Sequence, residues 1–400
     1  MNNNFINTKK AIEFGNQAWN KLDTNGLLNI AVEHLGNAKL RTIDGHEFIN
    51  MCSCSYLGLE FHPEIVAGGI EGLLRVKSLN LSSSRLRVHP ALLDEVESEL
   101  SELFRTKAIT TISCAAATSG FLPLLASGEL TGAEKPVMIF DKNCHFSMNH
   151  IKPICGDETF VMTCPHNDLK FIEDVCKKHN KVAYIADGAY SMGGHTPIKD
   201  LLTLQDKYGL FLYFDDSHSL SVYGKHGEGF VRSHMDEISE HTVIVSSLGK
   251  AFGASGGVLM LGSQKHLKVL ERFGGPLAWS QCINPAAMGA IRASIKIHCS
   301  SELNDRQTKM QSNIALFDQL IPTRNSGIPL PIRLVPVANS EIAAACSRYV
   351  YECGFYTSAV FFPIVARDQA GLRVMCRADL SFEDIKKFAK IVSDATQRFS

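Results

Sequence analysis

Short, wholly apolar runs recur along this chain, separated by longer amphipathic stretches, and that alternation leaves few architectures open. The runs are Val137-Met138-Ile139-Phe140, Val182-Ala183-Tyr184-Ile185-Ala186, Leu210-Phe211-Leu212-Tyr213-Phe214, Val243-Ile244-Val245 and Gly257-Val258-Leu259-Met260-Leu261. Unbroken apolarity suits strands covered on both faces, as in a mostly parallel sheet sandwiched by helices. Between the runs lie helical patterns such as Leu92 to Phe104, where Leu93, Val96, Leu100 and Leu103 recur at helical spacing. The expected class is therefore α/β, and ligands of such sheets gather at the carboxyl ends of the strands.

Punctuation along the chain divides it further. Gly274-Gly275-Pro276 to Asn284-Pro285 reads as a boundary, followed by a helical segment from Ala286 to about Leu320 and a loop from Ile321 to Pro331. Strand signals return at Arg333 to Val337 and Leu372 to Met375. The expected organisation is an N-terminal segment (1–45), a large domain with a mostly parallel central sheet (46–285) and a smaller α+β C-terminal domain (286–400).

Composition removes several functional classes. With 400 residues, 45% of them hydrophobic, the chain can bury a substantial core. A net charge of -1 gives no electrostatic footprint for nucleic acid or an anionic membrane surface. No apolar stretch is long enough to span a membrane, and the polar start Met1-Asn2-Asn3-Asn4-Phe5 is unlike a signal peptide. The 12 cysteines show neither zinc-finger spacing nor a secreted framework, so reduced thiols in a cytoplasmic protein are expected, with no metal site. The close pair Cys52 and Cys54 reads as packing beside a strand.

Chemistry concentrates after three of the strand runs. Lys250 stands in Ser247-Leu248-Gly249-Lys250-Ala251-Phe252-Gly253, behind Val243-Ile244-Val245. A lone lysine in a glycine-bordered loop is ordinarily a solvated charge; its company argues otherwise. Asp215, in Asp215-Asp216-Ser217-His218, ends an apolar strand that would bury its carboxylate unless a cation met it. A lysine able to form a Schiff base and a buried acid able to keep a pyridine nitrogen protonated are what pyridoxal 5'-phosphate (PLP) chemistry requires. Asp-Asp-Ser-His would also serve as a helix cap. Ser247 offers a hydroxyl to a phosphate oxygen, and Thr111 to Thr118 reads as a strand end opening a small-residue helix, whose free N–H groups suit an anion. His145, also behind a strand, could stack on a ring or simply cap a helix.

Taken in order, these residues resemble the α-oxoamine synthase family of fold-type I PLP-dependent enzymes. The likeness runs from about Asn50 to Lys390 through Tyr56-Leu57-Gly58-Leu59, His62-Pro63, Ser113, His145, His166-Asn167-Asp168, Ser191-Met192, Asp215 to His218, Tyr223-Gly224, Leu248 to Gly253, Ser280 and Leu372-Arg373. It implies that Lys250 binds the cofactor covalently and moves the proton, Asp215 pairs with the ring nitrogen, His218 bonds the phenolic oxygen and His145 stacks on the ring. It further implies that the Cys114 and Ala115 amides with Ser247 hold phosphate, that Ser191 lies near the cofactor or substrate, and that Ser280 and Gln281 reach phosphate across a homodimer interface. Arg373 matches the arginine that grips the amino-acid carboxylate.

The activity implied is condensation of a small amino acid with an acyl thioester, on CoA or an acyl-carrier protein, usually with decarboxylation, to an α-aminoketone. A fold-type I aminotransferase is the alternative. Departures fall at substrate positions: Cys54 and Ser55 replace the family's asparagine and aspartate, and Asn80-Leu81-Ser82-Ser83-Ser84-Arg85 replaces a glycine-rich segment. Cys54 and Ser84 are accordingly candidates for substrate contact. His218-Ser219-Leu220 resembles autoinducer-type aminoketone synthases, pointing to secondary metabolism.

Overall fold

The computed structural model describes residues 8–362, 364–366 and 369–400. Two compact units emerge: one from residues 59–190 and 195–304, the other from residues 8–58, 191–194 and the described residues of 305–400.

The first unit is built on a seven-stranded sheet. Across it the strands run Lys107–Thr111, Gly257–Leu261, Thr242–Ser247, Phe211–Asp215, Val182–Asp187, Val137–Asp141 and Val161–Cys164. Gly257–Leu261 is antiparallel to both neighbours; the other pairings are parallel. Every apolar run named above is a strand, and the five central ones are buried along their whole length but for Ser247.

Alternation within the runs explains the two cores. Ile139, Tyr184, Leu212, Phe214 and Ile244 face one apolar cluster, while Met138, Ala183, Ile185, Tyr213, Val243 and Val245 face another. Successive side chains of a strand point to opposite faces, so a run buried on both sides must be apolar throughout. Helices cover each face; Ala91–Phe104 brings Leu92, Leu93, Val96, Leu100, Leu103 and Phe104 to the first cluster.

The expected break at residues 285/286 falls inside this unit. Helix Pro285–His298 packs against helix Pro63–Val76 at backbone contact. A Cβ on Gly72 would lie 2.1 Å from the Pro285 carbonyl oxygen, and one on Gly289 would lie 2.0 Å from that of Gly68. Only glycine permits this approach. The long helical segment expected from Ala286 is two helices, Pro285–His298 and Ser301–Leu320, parted at Cys299-Ser300.

The second unit holds two small sheets. Val32–Gly36, Lys39–Thr42 and Glu47–Asn50 form an antiparallel meander, extended in parallel by Phe355–Tyr356. Ile332–Pro336, Gly371–Met375 and Ser358–Val360 form an antiparallel sheet. Helices Ser340–Glu352 and Phe382–Phe399 belong to this unit, the latter opened by a Ser381/Asp384 capping box. Among the described residues no helix is long and apolar enough to cross a membrane.

Candidate active site

Adjacent parallel strands of the first unit end in acids. Asp215 pairs in register with Asp187, and Asp141 ends the strand on the far side of Asp187. All three are buried, but their surroundings differ. Asp141 accepts from the Asn143 and Asn167 N–H groups at 2.8 Å and from the Tyr184 hydroxyl at 2.9 Å, with His166 Nδ1 at 3.0 Å. Burial alone would raise its pKa; His166 and the two amides outweigh that and hold it below the usual carboxylate range.

Asp187 receives the backbone N–H of His145 at 2.8 Å. Burial, and then the charge of Asp215, push its carboxyl well above the ordinary value. Nothing in the sequence isolated Asp187; it lies one residue past the run Val182–Ala186, and only strand register brings it beside Asp215.

Asp215 accepts from the Ser217 N–H at 3.1 Å through Oδ1 and from the Cys114 thiol at 3.3 Å through Oδ2. Among the described residues no cationic nitrogen lies within ion-pair distance of it. A carboxylate buried with only neutral donors is costly unless a cation completes the site. A protonated pyridine nitrogen meets that need.

Lys250 lies in the connection between the antiparallel strands Thr242–Ser247 and Gly257–Leu261. The loop is closed by Leu248 N–H to Gly256 O and Ala254 N–H to Leu248 O, both at 2.9 Å, with Leu248, Ala251 and Phe252 buried beneath it. Its half-buried amine stands 3.0 Å from His218 Nε2. His218 itself is buried, and an acid-bearing strand end, a histidine and a lysine are thus joined in one polar site.

Beside it begins helix Cys114–Ala126. The Ser113 hydroxyl caps the Ala116 N–H at 3.1 Å, whereas the Cys114 and Ala115 N–H groups have no acceptor among the described residues. Two such donors at a helix start form an anion site. A Cβ at Gly257 would lie 2.5 Å from Cys114 N, so that strand passes beneath the helix only as glycine. Ser247, half-buried, accepts from Gly249 N–H at 3.3 Å. This donor set, with the uncompensated Asp215, fits a phosphorylated pyridine.

His145 serves as the N-cap of helix Phe146–Glu158, its Nδ1 accepting from the Ser147 N–H at 3.3 Å, and its ring is exposed. Ser84 is buried with its hydroxyl donated to the Ala278 carbonyl, and Ser280 donates to Pro276 O at 2.6 Å. Both hydroxyls are thereby engaged within the unit.

The second unit contains Arg373, Cys54 and Ser191. Ser191 is half-buried, in the segment 191–194. Arg373 lies mid-strand, paired with Ser358 and Leu334, and its Nε and Nη2 are buried without a hydrogen-bond partner. Around it stand Cys52 and Tyr56, the latter beside Cys54. Burial raises the Cys52 thiol more than Arg373 lowers it, and burial, then Cys54, drives the Tyr56 phenol well up. Among the described residues the Nε–Nη2 edge of the guanidinium is left unsatisfied. All 12 cysteines are free thiols, and no cluster of potential metal ligands occurs among the described residues.

The chain belongs to the aminotransferase class I and II family, whose model matches residues 46–392. Within that family it is similar to 8-amino-7-oxononanoate synthases: 28% identical to that of Alkaliphilus metalliredigens over 373 residues, covering 89% of each chain, and 28% to that of Bordetella petrii over 349 residues, covering 84% and 85%. Among solved structures, a serine palmitoyltransferase of S. paucimobilis with bound PLP-myriocin aldimine superposes with a TM-score of 0.85 at 18% identity, covering 98% of this chain and 99% of that one. The 8-amino-7-oxononanoate synthase of Francisella tularensis superposes at 0.72 and 20%, covering 88% and 98%. The fold is that of the fold-type I PLP-dependent transferases, and the resemblance to the α-oxoamine synthases is borne out.

Proposed function

We propose that this protein is a PLP-dependent acyltransferase that condenses a small amino acid with an acyl thioester, releasing thiol and, as a rule, carbon dioxide, to give an α-aminoketone. The observation that carries the reading is the pairing of an uncompensated, buried Asp215 with a Lys250 amine 3.0 Å from His218 at the ends of neighbouring strands. The similarity to 8-amino-7-oxononanoate synthases supports the choice of reaction.

Pyridoxal phosphate, when bound, supplies the electron sink for a carbanion at the amino acid's α-carbon. The protein's part is positional. Lys250 Nζ would carry the covalent attachment and, as a free amine, would take or return the α-proton, with His218 Nε2 beside it as a hydrogen-bond partner. Asp215 holds the ring nitrogen, His218 the phenolic oxygen, and the exposed face of His145 covers the ring. The Cys114 and Ala115 amides and Ser247 would hold the phosphate, Ser280 would reach it across the homodimer interface in exchange for its bond to Pro276 O, and Ser191 would stand near the cofactor or substrate. Arg373 binds the substrate carboxylate through its open fork, a geometry a guanidinium matches with two parallel bonds. Cys54 and Ser84 belong to the substrate side of the site.

The same chain forms a homodimer. Val66, Ile70 and Leu74 make an exposed apolar stripe on helix Pro63–Val76, continued by exposed Leu79, Leu81 and Val88; such a surface calls for a partner. The donor is an acyl-CoA or an acyl-carrier protein, in a pathway of secondary metabolism, a reading supported by the likeness of His218-Ser219-Leu220 to autoinducer-type aminoketone synthases; the 12 free thiols support a cytoplasmic setting. Thiol release across a panel of amino acids and acyl thioesters tests the reading: release requiring both substrates is expected. Stoichiometric keto acid with an amino acid alone would indicate the aminotransferase instead.

A further inference from the structure

Cys114 has a second part to play beyond its backbone amide, and the relevant contacts are all inside the first unit. The Ser247 N–H donates to Ser217 Oγ at 2.9 Å, the Ser217 hydroxyl donates to Cys114 Sγ at 3.4 Å, and the Cys114 thiol donates to Asp215 Oδ2 at 3.3 Å. Each link runs in one direction. Hydroxyl and thiol each accept once and donate once, so the chain of bonds fixes where both hydrogens point.

Three segments are tied by this relay: the strand end at Ser247, which leads into the lysine loop; the strand end at Asp215 to Ser217; and the first residue of the helix Cys114–Ala126. Asp215 Oδ1 is held by the Ser217 N–H at 3.1 Å, so Ser217 grips one carboxylate oxygen directly and braces the donor to the other. Ser217 is buried. The carboxylate plane is thereby fixed at both oxygens, by groups that carry no charge and so do not compete electrostatically with an incoming ring cation. A thiol is suited to remaining a donor here. Burial, and then the charge of Asp215, push Cys114 well above its ordinary pKa, which keeps hydrogen on sulfur.

We propose that Cys114, braced by Ser217, is a positioning residue that orients Asp215 toward the cofactor's ring nitrogen and couples that carboxylate to the lysine loop. The inference rests on the assignment of Asp215 to that nitrogen. An alanine at 114 would keep the backbone amide for phosphate while removing the only side-chain donor to Oδ2 among the described residues; a serine would restore a donor.

The test compares holoenzymes carrying Cys114→Ala, Cys114→Ser and Asp215→Asn with the unaltered protein. Cofactor dissociation constant, the pH titration of the bound chromophore, kcat and amino-acid KM are measured. Loss of one weak donor to a charged acceptor predicts a cofactor dissociation constant raised about three- to tenfold in Cys114→Ala, with a displaced titration midpoint, reduced kcat and unchanged amino-acid KM. Cys114→Ser recovers most of the cofactor affinity and of the titration midpoint. Unaltered cofactor binding and titration in Cys114→Ala would overturn the inference, as would equal impairment of Ala and Ser, which would mean packing rather than donation. If Asp215→Asn also left the chromophore's titration unchanged, the assignment of Asp215 would fall and this inference with it; a changed Asp215→Asn beside a normal Cys114→Ala would refute the relay alone.

Discussion

Replacing Arg373 by methionine should make the protein more stable and its amino-acid substrate harder to hold, two effects of opposite sign from one side chain. Among the described residues Nε and Nη2 are buried with no acceptor, and burial pushes the Cys52 thiol and Tyr56 phenol beside them up. An unsatisfied buried donor costs about 1–3 kcal/mol, so an unbranched apolar side chain of similar length should raise unfolding stability by an amount of that order. Binding moves the other way. Two charge-assisted bonds to one carboxylate are worth about 1.5–3 kcal/mol each, and allowing for imperfect additivity the loss is about 3–4 kcal/mol. That corresponds to about a 10²- to 10³-fold fall in kcat/KM for the amino acid. Arg373→Lys, which keeps the charge but loses the fork, should fall between. Urea unfolding of the cofactor-free protein and steady-state kinetics against both substrates measure the two effects, with the thioester KM expected to stay constant. An unchanged amino-acid KM in Arg373→Met, or a stability loss without a kinetic one, would show that the fork faces no substrate carboxylate.

Other groups offer independent checks. Asp216, buried with Oδ1 unpartnered and Oδ2 accepting from Val231 N–H at 2.9 Å, has its carboxyl pushed up by burial from 3.8 to about 7. Its folded pKa exceeds its unfolded one, so the stability it contributes is complete below pH 3.8 and is lost as pH rises through about 7. The loss totals about 4 kcal/mol. In Asp216→Asn that part of the pH dependence should vanish from urea midpoints measured between pH 4 and 8; parallel wild-type and variant profiles would contradict it. Glu97 accepts from Arg85 at 2.8 and 2.9 Å and from the Thr110 N–H and hydroxyl at 2.8 Å, in a buried cluster. Glu97→Ala leaves the buried Arg85 guanidinium only Glu271, at 3.9 Å, as a charged partner and should cost about 3 kcal/mol in chemical denaturation, whereas Arg85→Met with Glu97→Leu should cost far less. Equal losses in the single and double variants would exclude a buried-charge origin.

What the amino-acid sequence disclosed, and what it hid, follows from the same physics. Strands buried on both faces must be apolar at every position, so Val137–Asp141 and Phe211–Asp215 were visible as runs. Of Lys107–Thr111 only the end at Thr111 was, because its threonines and lysine give no such run, although four of its five residues are buried. Val161–Cys164 sits at the sheet edge and is only partly buried, and its Thr163 breaks the pattern. The helix–helix contact through Gly72 and Gly289 carries no hydrophobic signature, which is why the large unit extends beyond the expected break.

The site divides similarly. Lys250, Asp215 and His218 were legible because each follows an apolar strand and their order matches a family. The acid between Asp141 and Asp215, the thiol on Asp215 Oδ2 and the unsatisfied fork of Arg373 depend on register and on missing partners among the described residues. Neither is written in local sequence. His145 illustrates the limit from the other side: the capping role and the ring-stacking role were both readable, and the cap is what the backbone geometry around Ser147 displays.

The most direct measurement is borohydride reduction of the cofactor-supplemented protein, followed by digestion and mass spectrometry of the modified peptide. The account predicts one pyridoxyl-modified lysine, at position 250, lost in Lys250→Ala together with the protein-bound chromophore. A reduced adduct on another lysine, or none on a protein that binds the cofactor stoichiometrically, would contradict it.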